Sequence, residues 1–360
     1  MKTYRAAVIG CSRMGGFIDN EVAGLPNHVP PYSHAAGFVA CDRTDLVACS
    51  DVREDVMEQF GLRYNIPKSR QYTDYRAMIA QENLEIVSVA TQPEPRAEIV
   101  IYAAEHGVKA IYAEKALSAS VVEADAMVEA LERNKVFLNL GTNRRWSTAY
   151  DKMKEILDSG ELGKLKSLLI YNMGTLSNTG SHMIDLIMWL NHDEPAQWVQ
   201  AHLPDSDSMF DGDLLYEDPR GEGIIHFANG VTAYAMLTPR GVEFEAICED
   251  GTIAALNDAT EWIVRRRLPD AQGRKNLTLV ESPVTMPTSS TLHLIEDLVH
   301  SLDTGEPSRC GIRNAAASNE ILFAFIESHR RDGARVSLPL EHRTLRMQRK
   351  RGPNQPRYTV

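Results

Sequence analysis

No C-x-x-C pair, no G-x-S-x-G turn and no grouping of Cys and His at metal-ligand intervals occurs in this chain. Cys11, Cys41, Cys49, Cys248 and Cys310 make an odd number and read as reduced, packed thiols rather than a disulfide framework. Without the G-x-S-x-G elbow a serine-nucleophile hydrolase is not expected, and without clustered ligands neither is a metal site. No apolar run reaches membrane-spanning length and the first residues show no signal pattern. The expectation is therefore a cytoplasmic protein with no membrane partner. Positive charge is short as well. A formal net charge of −11 argues against nucleic acid as a partner, because phosphate binding needs a basic field. The local exception is the end of the chain, where Arg343, Arg346, Arg349, Lys350, Arg351 and Arg357 have no acid among them. That stretch reads either as a solvated tail, taken as 348–360, or as a subunit contact.

What is present is enough for two globular domains: 360 residues, 43% hydrophobic and 24% charged. The organising stretch is Ala6-Ala7-Val8-Ile9-Gly10-Cys11-Ser12-Arg13-Met14-Gly15-Gly16. An apolar run of strand character breaks at Gly10, and helix-compatible residues resume near Arg13. A strand turning sharply into a helix leaves the first backbone N–H groups pointing outward, where they and the helix dipole suit a pyrophosphate. Gly10-x-Ser12-x-x-Gly15 is the dinucleotide fingerprint G-x-G-x-x-G with its middle glycine replaced. Gly10, Ser12, Arg13, Met14 and Gly15 are thus candidate cofactor residues. A dense run of turn-formers from Phe17 to Tyr32 stops the first helix early. The next strand, Leu46–Ser50, delivers Asp51, which stands 41 residues after Gly10 because of that insertion. A carboxylate there accepts from ribose hydroxyls and repels a 2′-phosphate, so NAD is expected over NADP. Arg53 pulls the other way, since an arginine can receive a 2′-phosphate.

Strands then alternate with helices. Glu85–Ala90 runs into Thr91-Gln92-Pro93, a helix follows to His106, and Ala110–Ala113 delivers Glu114-Lys115-Ala116. Ser120-x-x-Glu123 has the form of a capping box. Val136–Leu140 closes this half as a parallel, doubly wound sheet. Thr91, Pro93, Glu114 and Lys115 all fall at the carboxyl ends of strands, where such sheets place ligands. Beyond Pro195 the pattern becomes strand after strand, with Asn229-Gly230 a hairpin turn. Two helices, about 291–304 and 312–330, follow. This second half reads as an α+β domain with a largely antiparallel open sheet.

Five motifs in order give the chain a family resemblance: Thr91-Gln92-Pro93 with Arg96, Glu114-Lys115-Ala116, Asn143-Arg144-Arg145-Trp146, Asn178-Thr179-Gly180-Ser181-His182 with Asp185, and Gly333–Leu340. They resemble the T-P-x-x-x-H, E-K-P, N-R-R-aromatic and D-x-G-x-H-x-x-D patterns and the family-like ending of the glucose–fructose oxidoreductase/inositol dehydrogenase (Gfo/Idh/MocA) family, over residues 4 to about 347. Arg96, Ala116 and Asn178 are departures. The resemblance implies a Rossmann domain (1–143), a substrate and oligomerisation domain (144–347), and a homodimer or homotetramer joined through the open sheet. It also implies a small sugar or cyclitol substrate oxidised at a secondary hydroxyl. His182 has the pKa of a general base, and Lys115 can stabilise developing alkoxide charge. Asn178 is assigned to substrate. Asp185 either orients the His182 ring or sits near the helix start, and Arg144 contacts cofactor or substrate or merely opens a helix. Two alternatives stay open: an NAD-assisted glycoside-cleaving enzyme of this fold, and an NAD- or sugar-binding sensor without catalysis.

Overall fold

The computed structural model describes residues 2–349. Two compact units form. The first is built on β1 (Tyr4–Ile9), β2 (Thr44–Ser50), β3 (Gln71–Tyr72), β4 (Ile86–Val89), β5 (Ala110–Ala113) and β6 (Phe137–Leu140). Their order in the sheet is β3-β2-β1-β4-β5-β6, parallel throughout. Val8, Ile86, Val87, Ala110 and Ile111 are all buried. Continuous apolar runs of this kind suit strands covered on both faces. The chain order reverses between β1 and β4, which opens a crevice at the carboxyl ends of the strands.

The helices of this unit are short where the sequence punctuates them. Arg13–Phe17 is one π-type turn, followed by α1 (Asp19–Val22) and then by irregular chain. The inserted segment is seated, not loose. The Asp19 carboxylate accepts the N–H groups of Tyr32 and Ser33, and Ser289 and Thr291 donate to the carbonyls of Pro31 and Tyr32. α2 (His34–Ala40) is capped by Ser33. α3 (Glu54–Tyr64) ends on a left-handed Asn65, and α4 (Tyr75–Glu82) and α5 (Pro93–Glu105) complete the crossovers. In α6 (Val121–Asn134) Ser120 Oγ accepts the Glu123 N–H at 3.1 Å, and Glu123 reaches back to the Ala119 N–H at 3.0 Å. The cap bond of the expected capping box forms, while the return bond from Glu123 goes to the residue before the cap and not to Ser120 itself.

The second unit takes α7 (Thr148–Asp158), β7 (Leu165–Ile170), α8 (Ser181–Leu190), β8 (Ala196–His202), a small hairpin of β9 (Phe210–Asp211) and β10 (Leu214–Leu215), and the strands β11 (Glu222–Phe227), β12 (Thr232–Ala235), β13 (Phe244–Cys248), β14 (Gly251–Leu256), β15 (Glu261–Pro269) and β16 (Lys275–Val280). With β17 (Val336–Ser337) at one edge they form a nine-stranded sheet, β16-β15-β14-β13-β7-β12-β11-β8-β17. Only β12 and β7 pair in parallel. Phe244, Ala246 and Cys248 turn one face inward, while Leu169, Ile224, Tyr234 and Ile247 line a shallow apolar groove on the other. The open, largely antiparallel sheet is as expected.

The division of the chain is less simple than a cut at 143. Trp146 still belongs to the first unit, and so do residues 288–319 and 346–349. α9 (Ser290–Thr304) returns because Leu294, Ile295 and Leu298 complete the apolar core of the parallel sheet. Asn139 in β6 secures it, donating to the Leu294 carbonyl and to Asp297 Oδ2 at 2.8 Å and accepting the Cys310 N–H. α10 (Ile312–Arg330) belongs to the first unit up to Asn319 and to the second from Glu320. Of the basic stretch, Arg343 pairs with Glu320, Arg346 with Glu123 and Arg349 with Glu94. Lys350, Arg351 and Arg357, and the rest of the expected tail beyond Arg349, lie outside the described residues.

Candidate active site

The glycine turn is shaped by close approach. Gly10 has φ +91°, a left-handed value that favours glycine. A Cβ on Gly15 would lie 2.0 Å from the Gly10 carbonyl oxygen, so no side chain fits there. Ser12 leads into the π-type turn and its carbonyl accepts the Gly16 N–H at 3.0 Å. Arg13 is paired with Glu21 at 2.7 Å, and Met14 is half-buried.

Asp51 stands at the end of β2 and is tied to that turn. Its Oδ2 accepts the Cys11 N–H at 2.8 Å and its Oδ1 the Arg53 N–H at 3.0 Å. Burial raises its pKa, outweighing the two N–H bonds and the Arg53 charge that favour the carboxylate. Two lone pairs remain for ribose hydroxyls. The Arg53 guanidinium meets Asp55 as a fork, Nε to Oδ1 at 3.0 Å and Nη2 to Oδ2 at 2.6 Å.

A second cluster lies at the ends of β4 and β5. Thr91 precedes Pro93, the first residue of α5, and its buried Oγ1 has no protein partner. Arg96 is 1% exposed and donates to two backbone carbonyls, Thr91 and Ala116. Burial pushes its pKa down to about 10, against the raising influence of the Glu114 carboxylate. The guanidinium thus fastens the Thr91 turn to the Lys115 turn, in which the Lys115–Ala116 peptide is cis.

Glu114, a candidate cofactor residue, has a carboxylate with partners inside the protein. Its carboxylate is buried and directed inward, Oε1 lying 3.0 Å from His34 Nε2 and Oε2 accepting the Lys115 N–H at 3.2 Å. Burial pushes its pKa up, but the His34 hydrogen bond and the charges of His34, Lys115 and Arg96 pull it further down, so the net shift is downward. His34 is stacked on Tyr112 with centroids 3.7 Å apart, and its Nδ1 meets Ser88 Oγ. Sequence reasoning missed His34 and Ser88, and took Arg96 only as a departure from the family pattern. The signal in each case was a polar residue at a buried position of an otherwise apolar helix or strand, which is visible only once burial is known.

In the second unit, Leu176–Gly180 is a π-type turn that runs straight into α8. Asp218, also missed, accepts the Ser177 N–H at 2.8 Å and the Asn178 N–H at 3.0 Å, which sets the backbone of this turn. Asn178 is exposed, His182 half-buried and Asp185 fully buried one helical turn beyond it. Arg144 sits in the 3₁₀ turn Asn143–Trp146, which belongs to the first unit and not to the second as expected. Its neighbour Arg145 is buried and donates to the Arg309 carbonyl at 3.2 Å. Among the described residues no group of three or more His, Cys, Asp or Glu is placed to hold a metal ion, and no helix is long and apolar enough to cross a membrane.

The residues fit a dinucleotide. The Gly15 approach leaves backbone unshielded by any side chain, Asp51 presents its carboxylate at the end of β2, and the partnerless Thr91 Oγ1 waits at the end of β4. Known proteins agree. Residues 4–142 match the sequence model of an oxidoreductase family with an NAD-binding Rossmann fold. The chain is 25% identical to the myo-inositol 2-dehydrogenase of Thermotoga maritima over 76% of its own length and 85% of that enzyme's. With the inositol 2-dehydrogenase of Salmonella typhimurium it shares 27% identity, over 58% of this chain and 60% of that one. Levoglucosan dehydrogenase, solved in complex with NADH and L-sorbose, has the same fold. The TM-score is 0.75 at 18% identity, over 94% of this chain and all of that one. These likenesses support an NAD-binding oxidoreductase, and over residues 4–142 the chain matches the Gfo/Idh/MocA family model.

Proposed function

We propose that this protein is an NAD-dependent dehydrogenase that oxidises a secondary hydroxyl of a sugar, cyclitol or sugar derivative. The observation that carries this reading is the joining of Asp51 to the glycine turn through the Cys11 N–H. A ribose-binding acid is thereby held beside the phosphate-binding backbone. The substrate class is taken from what the inositol dehydrogenases it resembles are named for. NAD is preferred to NADP because a 2′-phosphate would meet the Asp51 carboxylate.

Held at the Gly10–Gly15 turn with its ribose on Asp51, the cofactor would supply the hydride acceptor for the substrate carbon. The protein handles the proton and the oxygen. His182 accepts the hydroxyl proton as general base. Lys115 hydrogen-bonds the reacting oxygen and stabilises the charge that develops there. Its backbone is set by Glu114 and, through Ala116, by Arg96. Asn178 orients a substrate hydroxyl, a task an amide performs by donating as well as accepting. Asp185 and Arg144 serve substrate binding.

The second unit carries the substrate and oligomer contacts, and its apolar open face around Leu169, Ile224, Tyr234 and Ile247 joins subunits in a homodimer or homotetramer. With five free, buried cysteines the protein is assigned to the cytoplasm. The test is NADH formation over a panel of sugars and cyclitols. Turnover on at least one polyol, with a higher kcat/KM for NAD than for NADP, is expected. Binding of NAD without turnover on any of them would overturn the dehydrogenase in favour of a sensor. Cleavage of a glycoside with no net NADH would favour the eliminating enzyme.

A further inference from the structure

Arg53 is the residue that opposes NAD preference in this loop, so what holds its side chain bears on the choice of cofactor. Its backbone is placed by Asp51, whose Oδ1 takes the Arg53 N–H at 3.0 Å. A guanidinium starting two residues after a ribose-binding acid is where a 2′-phosphate would find a cation. The side chain is engaged elsewhere. Nε and Nη2 meet the two oxygens of Asp55 at 3.0 and 2.6 Å, the fork-on-fork geometry that gives an arginine–carboxylate pair its directionality. Asp55 itself is well anchored, because it lies in the first turn of α3, where the helix dipole favours a carboxylate. The Arg53 hydrogen bond also holds the Asp55 pKa below the ordinary carboxylate range, so the acid is ionised at any working pH.

We propose that Asp55 is a specificity-determining residue, which clasps the Arg53 guanidinium, keeps it from the 2′-phosphate of NADP and leaves the choice of cofactor to Asp51. This rests on the reading of Asp51 as the ribose acid. The side chains of Arg53 and Asp55 are 32% and 52% exposed. Exposed pairs are weak, so the clasp tunes selectivity by a few-fold and does not create it.

The experiment is isothermal titration of NAD and NADP into the full chain as wild type, Asp55→Asn, Arg53→Ala and the double variant. Both positions are on the surface, so the variants are expected to fold, and thermal melts check this. Asp55→Asn is expected to improve the NADP affinity relative to NAD by about two- to five-fold. The gain should vanish in the double variant, and Arg53→Ala alone should leave the wild-type ratio in place. An unchanged ratio in Asp55→Asn overturns the proposal. So does an equal gain in the double variant, which would mean that the Asp55 charge repels phosphate without Arg53. Loss of NADP affinity in Arg53→Ala alone also overturns it, because Arg53 would already be on the phosphate. A wild type that binds NADP better than NAD would instead overturn the Asp51 reading, while the change between wild type and Asp55→Asn still reports on the clasp.

Discussion

His34 Nε2 lies 3.0 Å from Glu114 Oε1, and the other oxygen of that carboxylate holds the amide of Lys115 at 3.2 Å. A histidine from α2 therefore reaches, through one carboxylate, the turn that carries the proposed catalytic lysine. His34→Ala would leave a carboxylate that is 4% exposed without its strongest partner. Removing the hydrogen-bond partner of a buried acceptor costs about 1–3 kcal/mol, and more when the acceptor is charged. Urea unfolding at neutral pH should show a loss of that size, and His34→Gln, which can still donate, should lose less. An unchanged midpoint in His34→Ala would remove the pair from the structural account.

Lys115→Ala and His182→Ala are each expected to keep NAD binding and lose turnover by about 10²–10⁴-fold, the usual share of an acid–base or oxyanion group. Fluorescence titration of NADH measures the first property and initial rates the second. Wild-type rates in His182→Ala would take it out of the base role. Lost NADH binding in Lys115→Ala would make that residue a cofactor contact.

Gly15→Ala should abolish dinucleotide binding and lower stability. The added methyl would stand 2.0 Å from the Gly10 carbonyl oxygen, which is backbone and cannot swing away. The turn must open to admit it. Calorimetric titration of NAD and a thermal melt on the same sample read both effects. Ser12→Gly, by contrast, restores the usual fingerprint and should bind NAD at least as well as wild type.

His342 bridges two carboxylates, with Nδ1 3.1 Å from Glu327 Oε2 and Nε2 3.1 Å from Asp213 Oδ2, and so ties the chain between β9 and β10 to α10. The hydrogen bond that its ring donates to Glu327 and the charges of Glu327 and Asp213 raise its pKa above the ordinary 6.5, against the opposing influence of burial. A raised pKa means that the folded state binds the proton more tightly than the unfolded one. The contribution is fully present below the unfolded pKa and fades as pH rises through the folded one. Melting curves across about pH 6 to 9 should fall more steeply for wild type than for His342→Gln. Parallel slopes would show that the bridge does not titrate in this window.

Much of this protein was legible in order along the chain, because its signals are local. Gly10 and Gly15 announce a turn that only glycine can make, Ser120 and Glu123 a helix start, and the apolar runs at β1, β4 and β5 a buried parallel sheet. The same holds for Asp51, whose identity and place after a strand suffice to suggest its role. What tertiary structure decided is where polar groups go once they are buried, and that depends on partners far away in sequence. Glu114 shows in the sequence only as an acid at a strand end, and that His34, eighty positions earlier, meets its oxygen is decided by the fold. Arg96 reads only as a departure from a family histidine until its guanidinium is found between the carbonyls of Thr91 and Ala116. The return of α9 to the parallel sheet has the same cause. Leu294, Ile295 and Leu298 form an apolar face that any sheet could cover, and the hydrogen bonds of Asn139 to Leu294 and Asp297 choose which one. Hydrophobic period is written in neighbouring residues. The satisfaction of buried polar groups is settled only when the chain has closed around them.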